Sequence, residues 1–336
     1  MILVTGATGI LGRVIVLELL KRGSRVRATK RPSSNLEEVR NSFKFYTDRP
    51  NEFFSKIEWA DVDFDDLQAL QEVLHGVEEV YHCAGKVSFY PNDCREIYHT
   101  NILGTRNLLY ACEGSSVKNF CFVSSVAVLD GFNDEGLMDE DSDFNSKLEH
   151  SSYAISKHFS EMEVWRASAE GLNTVTVNPG IILGSGNWES SSGELFGTLE
   201  KYPFAMSGTT SYVDVRDVAQ ISIELMEKNI FGERFILVAE NCKYLDIAEK
   251  VRTKLGKSKP KVISGTLLNV GYVLNLLFGG IFPKLRIMNK INLDTVTSNN
   301  MVSNRKIAGK LNWQFIPVSE SIDFHLGNFI ADKKNS

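Results

Sequence analysis

The sequence predicts an α/β fold, a doubly wound parallel sheet with a smaller C-terminal domain, and three observations predict it. A short apolar run, Ile2 to Val4, passes through three glycines, Gly6, Gly9 and Gly12, into helical periodicity that stops at Gly23. Strand-like and helix-like segments then alternate as far as about residue 180. Beyond that point glycine, serine and polar loops take over, as in a domain inserted at the carboxyl ends of the strands.

The elements follow in order. Strand one ends at the glycine turn, where Gly6 makes the tight bend, Gly9 lets the backbone approach a pyrophosphate and Gly12 permits close helix packing. The free amides of Thr8, Ile10 and Leu11 and the helix dipole then face an anion, the signature of a Rossmann-type dinucleotide site. SRVRATKR is strand two, IEWAD strand three, EEVYHCAG strand four, NFCFVSS strand five and NTVTVNPG strand six, with helices at 67–74, 95–113 and 153–170. Helical crossovers between short apolar strands require parallel pairing. Residues 1–180 are therefore assigned mainly to the dinucleotide domain and 181–330 mainly to a substrate domain, with 212–240 returning to the main sheet.

Composition bounds the rest. The 336 residues are 43% hydrophobic and 24% charged, enough for both domains. A formal charge of -5 gives no reason to expect nucleic acid. The five cysteines show no zinc spacing, so no metal site is expected; they read as reduced core residues of a cytoplasmic protein. Residues 262–282 are nearly uncharged and of about membrane-spanning length, yet four glycines and Ser264, Asn269 and Asn275 interrupt them. They are read as a helix and loop capping an apolar cleft, with contact to a membrane surface left open as the alternative.

Tyr153 and Lys157 stand four residues apart, on one face of the helix predicted there. A free tyrosine loses its proton only near about pH 10, and a nearby ammonium favours the phenolate, which makes it a usable acid or base. Ser125 closes strand five at the carboxyl edge of the sheet, where its hydroxyl can donate to a substrate oxygen as charge develops. Ser124 is the alternative that supports only the turn.

With these residues in place, the chain resembles the extended short-chain dehydrogenase/reductases, the group of NAD-dependent epimerases and dehydratases that includes the dihydroflavonol reductase and 3-beta-hydroxysteroid dehydrogenase branch. The resemblance rests on TGATGILG at 5–12, AD at 60–61, HCAG at 82–85, NILGTRNLL at 101–109, VSS at 123–125, YAISK at 153–157, NPGIILG at 178–184 and YVDVRDVA at 212–219. It implies that Tyr153 is the general acid/base, that Lys157 lowers its pKa and binds the ribose, that Ser125 polarises the carbonyl, and that Asn101 serves a proton relay. It implies that Asp61 and Val62 meet the adenine, and that Cys83, Ala84, Gly85, Pro179 and Gly180 line the cofactor. It also implies a homodimer paired through the helix that carries YAISK.

Strand two offers Arg27, Lys30 and Arg31 and no carboxylate for a ribose 2'-hydroxyl. These cations suit a 2'-phosphate, so NADP is the expected cofactor, with NAD use left open. Val126 and Ala127 stand where dehydratases of the group tend to carry Asp-Glu. The expectation is therefore NADPH-dependent reduction of a small, partly apolar ketone or aldehyde; a sugar-nucleotide epimerase-like enzyme and a non-catalytic NADP-binding protein are the alternatives.

Overall fold

Short, near-continuously apolar runs, buried on both faces, build the central sheet. In the computed structural model, which describes residues 1–189 and 191–335, the strands are β1 (Ile2–Thr5), β2 (Val26–Lys30), β3 (Glu58–Asp61), β4 (Glu79–His82), β5 (Asn119–Val123) and β6 (Asn173–Pro179). After them come β7 (Ile181–Leu183), β8 (Phe204–Ala205), β9 (Thr209–Asp214), β10 (Glu233–Leu237), β11 (Glu240–Lys243) and β12 (Lys261–Val262). The main sheet has the order β10-β6-β5-β4-β1-β2-β3, and every pairing in it is parallel.

Alternate residues of one strand serve opposite faces. Val4, Tyr81, Cys121 and Val175 pack on one side with helices Ile10–Lys21 and Val215–Glu227; Leu3, Val80, Phe120 and Phe122 pack on the other with helices Leu67–Val73, Gly104–Glu113 and Ser152–Ala169. Each fully buried side chain of this size contributes about 1.5–3 kcal/mol. The order in which strands are added to the sheet reverses between β1 and β4, which opens a crevice at their carboxyl ends.

A smaller sheet, β11-β9-β7, is joined to the large one by Gly180, the single residue between β6 and β7. A Cβ there would sit 2.5 Å from the Ser211 carbonyl oxygen, so only glycine allows the two layers this close. Leu183, Tyr212, Ile247, Val251, Ile322 and Leu326 form the core of this second unit.

β9, where the chain was expected to return to the main sheet, pairs with β7 and β11, while Val213, helix Val215–Glu227 and β10 pack in the large core. One sequence expectation is corrected. The stretch 262–282 does not cap the cleft. It forms helix Gly265–Phe278, of which only Leu268 is buried, and none of its residues reaches the cleft wall. The wall is built instead by Ile287, Ile291 and Asp294, farther along the chain.

Candidate active site

One cleft of about 2010 Å³ runs along the carboxyl ends of the strands. That is about twice the upper range of drug-sized ligand pockets, room for a dinucleotide and a second molecule together. Its wall gathers Gly6, Thr8, Gly9, Ile10, Leu11 and Gly12 with Lys30, Arg31, Asp61 and Val62. Cys83, Ala84, Gly85, Ser125, Tyr153, Lys157, Pro179 and Gly180 complete it. Arg27 and Asn101 do not reach the wall.

The glycine turn is constrained on every side. Gly6 has φ +64°, and a Cβ on it would stand 2.6 Å from the Ala84 nitrogen; one on Gly12 would stand 2.3 Å from the Gly6 oxygen. Gly9 donates its N–H back to the Gly6 oxygen at 2.9 Å and caps helix Ile10–Lys21, whose first amides have no carbonyl partner within the helix. This cradle suits a pyrophosphate.

Sequence reasoning missed what holds the turn from below. Arg13 is fully buried; it donates to the carbonyl oxygens of Thr8 and of Gly9 (3.2 Å) and forks onto Glu38 at 2.7 and 2.8 Å. Glu38 also accepts from the Asn187 N–H at 2.7 Å. An arginine just past the third glycine, on a face otherwise apolar, was the available signal.

At the adenine end, the three cations of strand two separate. Arg27 turns to the opposite end of the strand, where it binds Glu58 (2.6 Å) and the carbonyls of Val73 and His75. Strand alternation and the exposed Glu58 opposite fix that direction. Lys30 pairs with Asp61 at 2.6 Å. Arg31 lies on the cleft wall beside Ser33, Ser34 and Asn35, with no carboxylate partner among the described residues.

The chemical groups meet at the other end. Tyr153 and Lys157 occupy the first two turns of helix Ser152–Ala169, which Ser151 caps by accepting from the Ala154 N–H. Tyr153 and Ser125 both lie on the cleft wall. Burial raises the Tyr153 pKa above the ordinary tyrosine value and the nearby Ser125 hydroxyl offsets part of the rise. The expected lowering by Lys157 is not what governs this phenol: its ammonium donates to the Val123 carbonyl at 2.7 Å and lies over the Phe122 ring. Burial pulls Lys157 itself down to about 8, while Cys83 and Glu161 act in the opposite direction.

Asn101 sits behind the wall in a π-helical turn, His99–Leu103. Its Oδ1 accepts from the Lys86 N–H (2.7 Å), and its Nδ2 donates to the Lys86 carbonyl (3.0 Å) and to Ser156 Oγ (2.8 Å). It thereby ties the exit of β4 to helix Ser152–Ala169. Cys83 is half-buried at the end of β4; desolvation raises its thiol, which stays protonated.

A second omission is Glu161, one turn beyond Lys157. This buried carboxyl accepts from Asn178 Nδ2 at 2.7 Å, and the same nitrogen donates to the Ser125 carbonyl at 3.1 Å. Burial raises the Glu161 pKa, with Ser124, Asn178 and Arg234 in opposition. Extending the Tyr153, Lys157 face by another four residues would have found it.

Residues 2–237 match the model of the NAD dependent epimerase/dehydratase family. Sterol demethylase protein B of Methylococcus capsulatus is 28% identical over 277 residues, spanning 81% of this chain and 80% of that protein. Cinnamoyl-CoA reductase 2 of Medicago truncatula is 29% identical over 245 residues, 69% of this chain and 70% of its own. The crystal structure of gox2253 superposes with a TM-score of 0.81 at 26% identity, over 99% of this chain and 98% of that one.

Proposed function

Because the chain belongs to the NAD dependent epimerase/dehydratase family and is an NAD(P)-dependent oxidoreductase of the extended short-chain dehydrogenase/reductase type, we propose that it is an NADPH-dependent reductase of a ketone or aldehyde on a small, partly apolar molecule. The observation that carries this reading is that Ser125, Tyr153 and Lys157 share the wall of one cleft with the glycine turn. A reduced nicotinamide supplies the hydride when bound.

The protein's own groups do the rest. Ser125 donates to the substrate oxygen and stabilises the charge that grows on it. Tyr153 delivers its proton to the same oxygen, and a pKa held above the ordinary value keeps that proton in place until the oxygen becomes basic. Lys157 offers its ammonium to the ribose hydroxyls, and Asn101 holds the catalytic helix in register with the exit of β4. Arg31 supports NADPH over NADH, since a 2'-phosphate gives it a charged partner.

Val87, Phe89, Leu148 and Ile291 on the wall support a partly apolar substrate. Dehydration has no visible acid, as Val126 and Ala127 follow Ser125. The exposed Tyr110, Phe159 and Met162 support pairing of two copies through the helices that carry them. Five unbridged cysteines support a reducing, cytoplasmic setting.

The deciding experiment measures binding of NADPH and NADH, then consumption of the reduced cofactor against a panel of carbonyl compounds, with Tyr153→Phe as control. NADPH preference with consumption that the control abolishes upholds the reading. Tightly retained NAD without net consumption replaces it with epimerisation.

A further inference from the structure

Helix Gly265–Phe278 is the least covered apolar element among the described residues. Leu267, Val270, Val273, Leu276 and Leu277 are exposed along it, and Ile281 just beyond it is 72% exposed. A monomer rarely shows water a continuous apolar patch of this kind unless something covers it. The helix is nonetheless firmly mounted. Gly271 packs against Met288, Asn275 donates to the Met288 carbonyl, and Arg286 donates to the Gly279 carbonyl. Arg286 also binds Asn92, and Asn292 donates to the Phe89 carbonyl at 2.8 Å. The mount therefore stands on the same segment whose Phe89 ring meets Tyr153 edge-on at 6.1 Å.

Charge identifies the occupant. Residues 250–293 hold nine of the chain's 37 Lys and Arg and none of its 42 Asp and Glu, so this segment carries +9 and the remaining chain -14. Lys250 and Lys254 are partly answered by Asp323, and Lys259 by Glu249 at 4.0 Å. Lys257, Lys261, Lys284 and Lys290 are exposed and have no carboxylate partner among the described residues. A second copy docked here about a two-fold axis would set these cations against themselves. A membrane of anionic lipid presents the opposite sign and an apolar interior. At 14 residues the helix is about 21 Å long, short of the ~30 Å hydrocarbon layer, and no described helix is long and apolar enough to cross it.

We propose that helix Gly265–Phe278 and the turn to Phe282 lie in the surface of an anionic membrane, with the flanking lysines at the headgroups and the cleft mouth at Phe89 and Ile291 beside the bilayer. The test is co-sedimentation of the whole protein with phosphatidylcholine vesicles, with and without phosphatidylglycerol, at low and high salt. Its variants are Leu276→Asp/Leu277→Asp and Lys257→Gln/Lys261→Gln/Lys284→Gln, each checked for unchanged melting temperature and NADPH binding. The expected result is binding to the anionic vesicles that falls with salt and drops roughly tenfold or more in either variant, together with slower hydrogen exchange over 265–282 in the wild type on adding vesicles. Failure of the wild type to bind, or a double aspartate variant that binds as well, overturns the proposal. So does a self-association that the aspartates abolish in a protein that ignores vesicles.

Discussion

The Lys157 ammonium donates to the Val123 carbonyl at 2.7 Å, inside a shell that pulls its pKa down to about 8. Lys157 is charged below that pH and neutral above it. Whatever its charge does for cofactor and substrate is present at neutral pH and fades upward. The kcat/KM for reduction is expected to fall along an alkaline limb with an apparent pKa near 8. Glu161 holds the Lys157 pKa up, so Glu161→Gln shifts the limb to lower pH; a pH profile of both proteins, with an unmoved limb, would refute the coupling.

The same shift has a consequence for stability, with its own sign. Between about 8 and the unfolded value of 10.5, the unfolded chain binds the Lys157 proton and the folded one does not. The contribution of this group to stability therefore rises with pH across that window. Lys157→Met removes that slope, which denaturant titrations at several pH values between these limits would read.

Tyr153→Phe keeps the ring and its edge contact with Phe89 but removes the proton. A loss of about 10²–10⁴-fold in turnover is expected, with NADPH affinity nearly unchanged. Ser125→Ala removes the donor to the substrate oxygen, and about 10²-fold is expected for it. Steady-state rates beside direct cofactor titration separate the two effects.

Arg31 has the clearest role in choosing the cofactor. Arg31→Ala is expected to weaken NADPH by roughly 10–100-fold, the value of one or two charge-assisted bonds, and to leave NADH little changed. Arg27→Ala, by contrast, breaks the link to Glu58 without moving the NADPH to NADH ratio. Binding isotherms for both cofactors and both variants check the contrast.

Arg13→Met tests the support beneath the glycine turn. It strands the Glu38 carboxylate and two carbonyl oxygens, at an expected cost of about 2 kcal/mol or more in unfolding free energy. NADPH affinity should fall as well, although Arg13 is absent from the cleft wall. Urea unfolding paired with NADPH titration measures both.

The large sheet was legible because its strands are short apolar runs and each crossover carries a helical period. The glycine turn was legible because φ +64° at Gly6 and the contact beneath Gly12 admit no other residue. The site residues scattered in sequence, Ser125, Tyr153 and Lys157, became readable through motif resemblance and then met in space. Arg27 misled because sequence shows that a cation sits on strand two and does not show to which end its side chain runs. Arg13 and Glu161 stayed hidden because a buried charge is recognised only by partners, and those partners lie 25 and 17 residues away. The 262–282 stretch was read as covered because apolar residues are usually covered; what leaves it open is the mount around Met288, a tertiary fact.

Glu38 ties two segments together beneath the glycine turn. One carboxylate answers Arg13, which carries the turn, and also the Asn187 amide, in the loop that follows β7. Turn and loop therefore share a single anchor, and a change that frees Glu38 loosens both together.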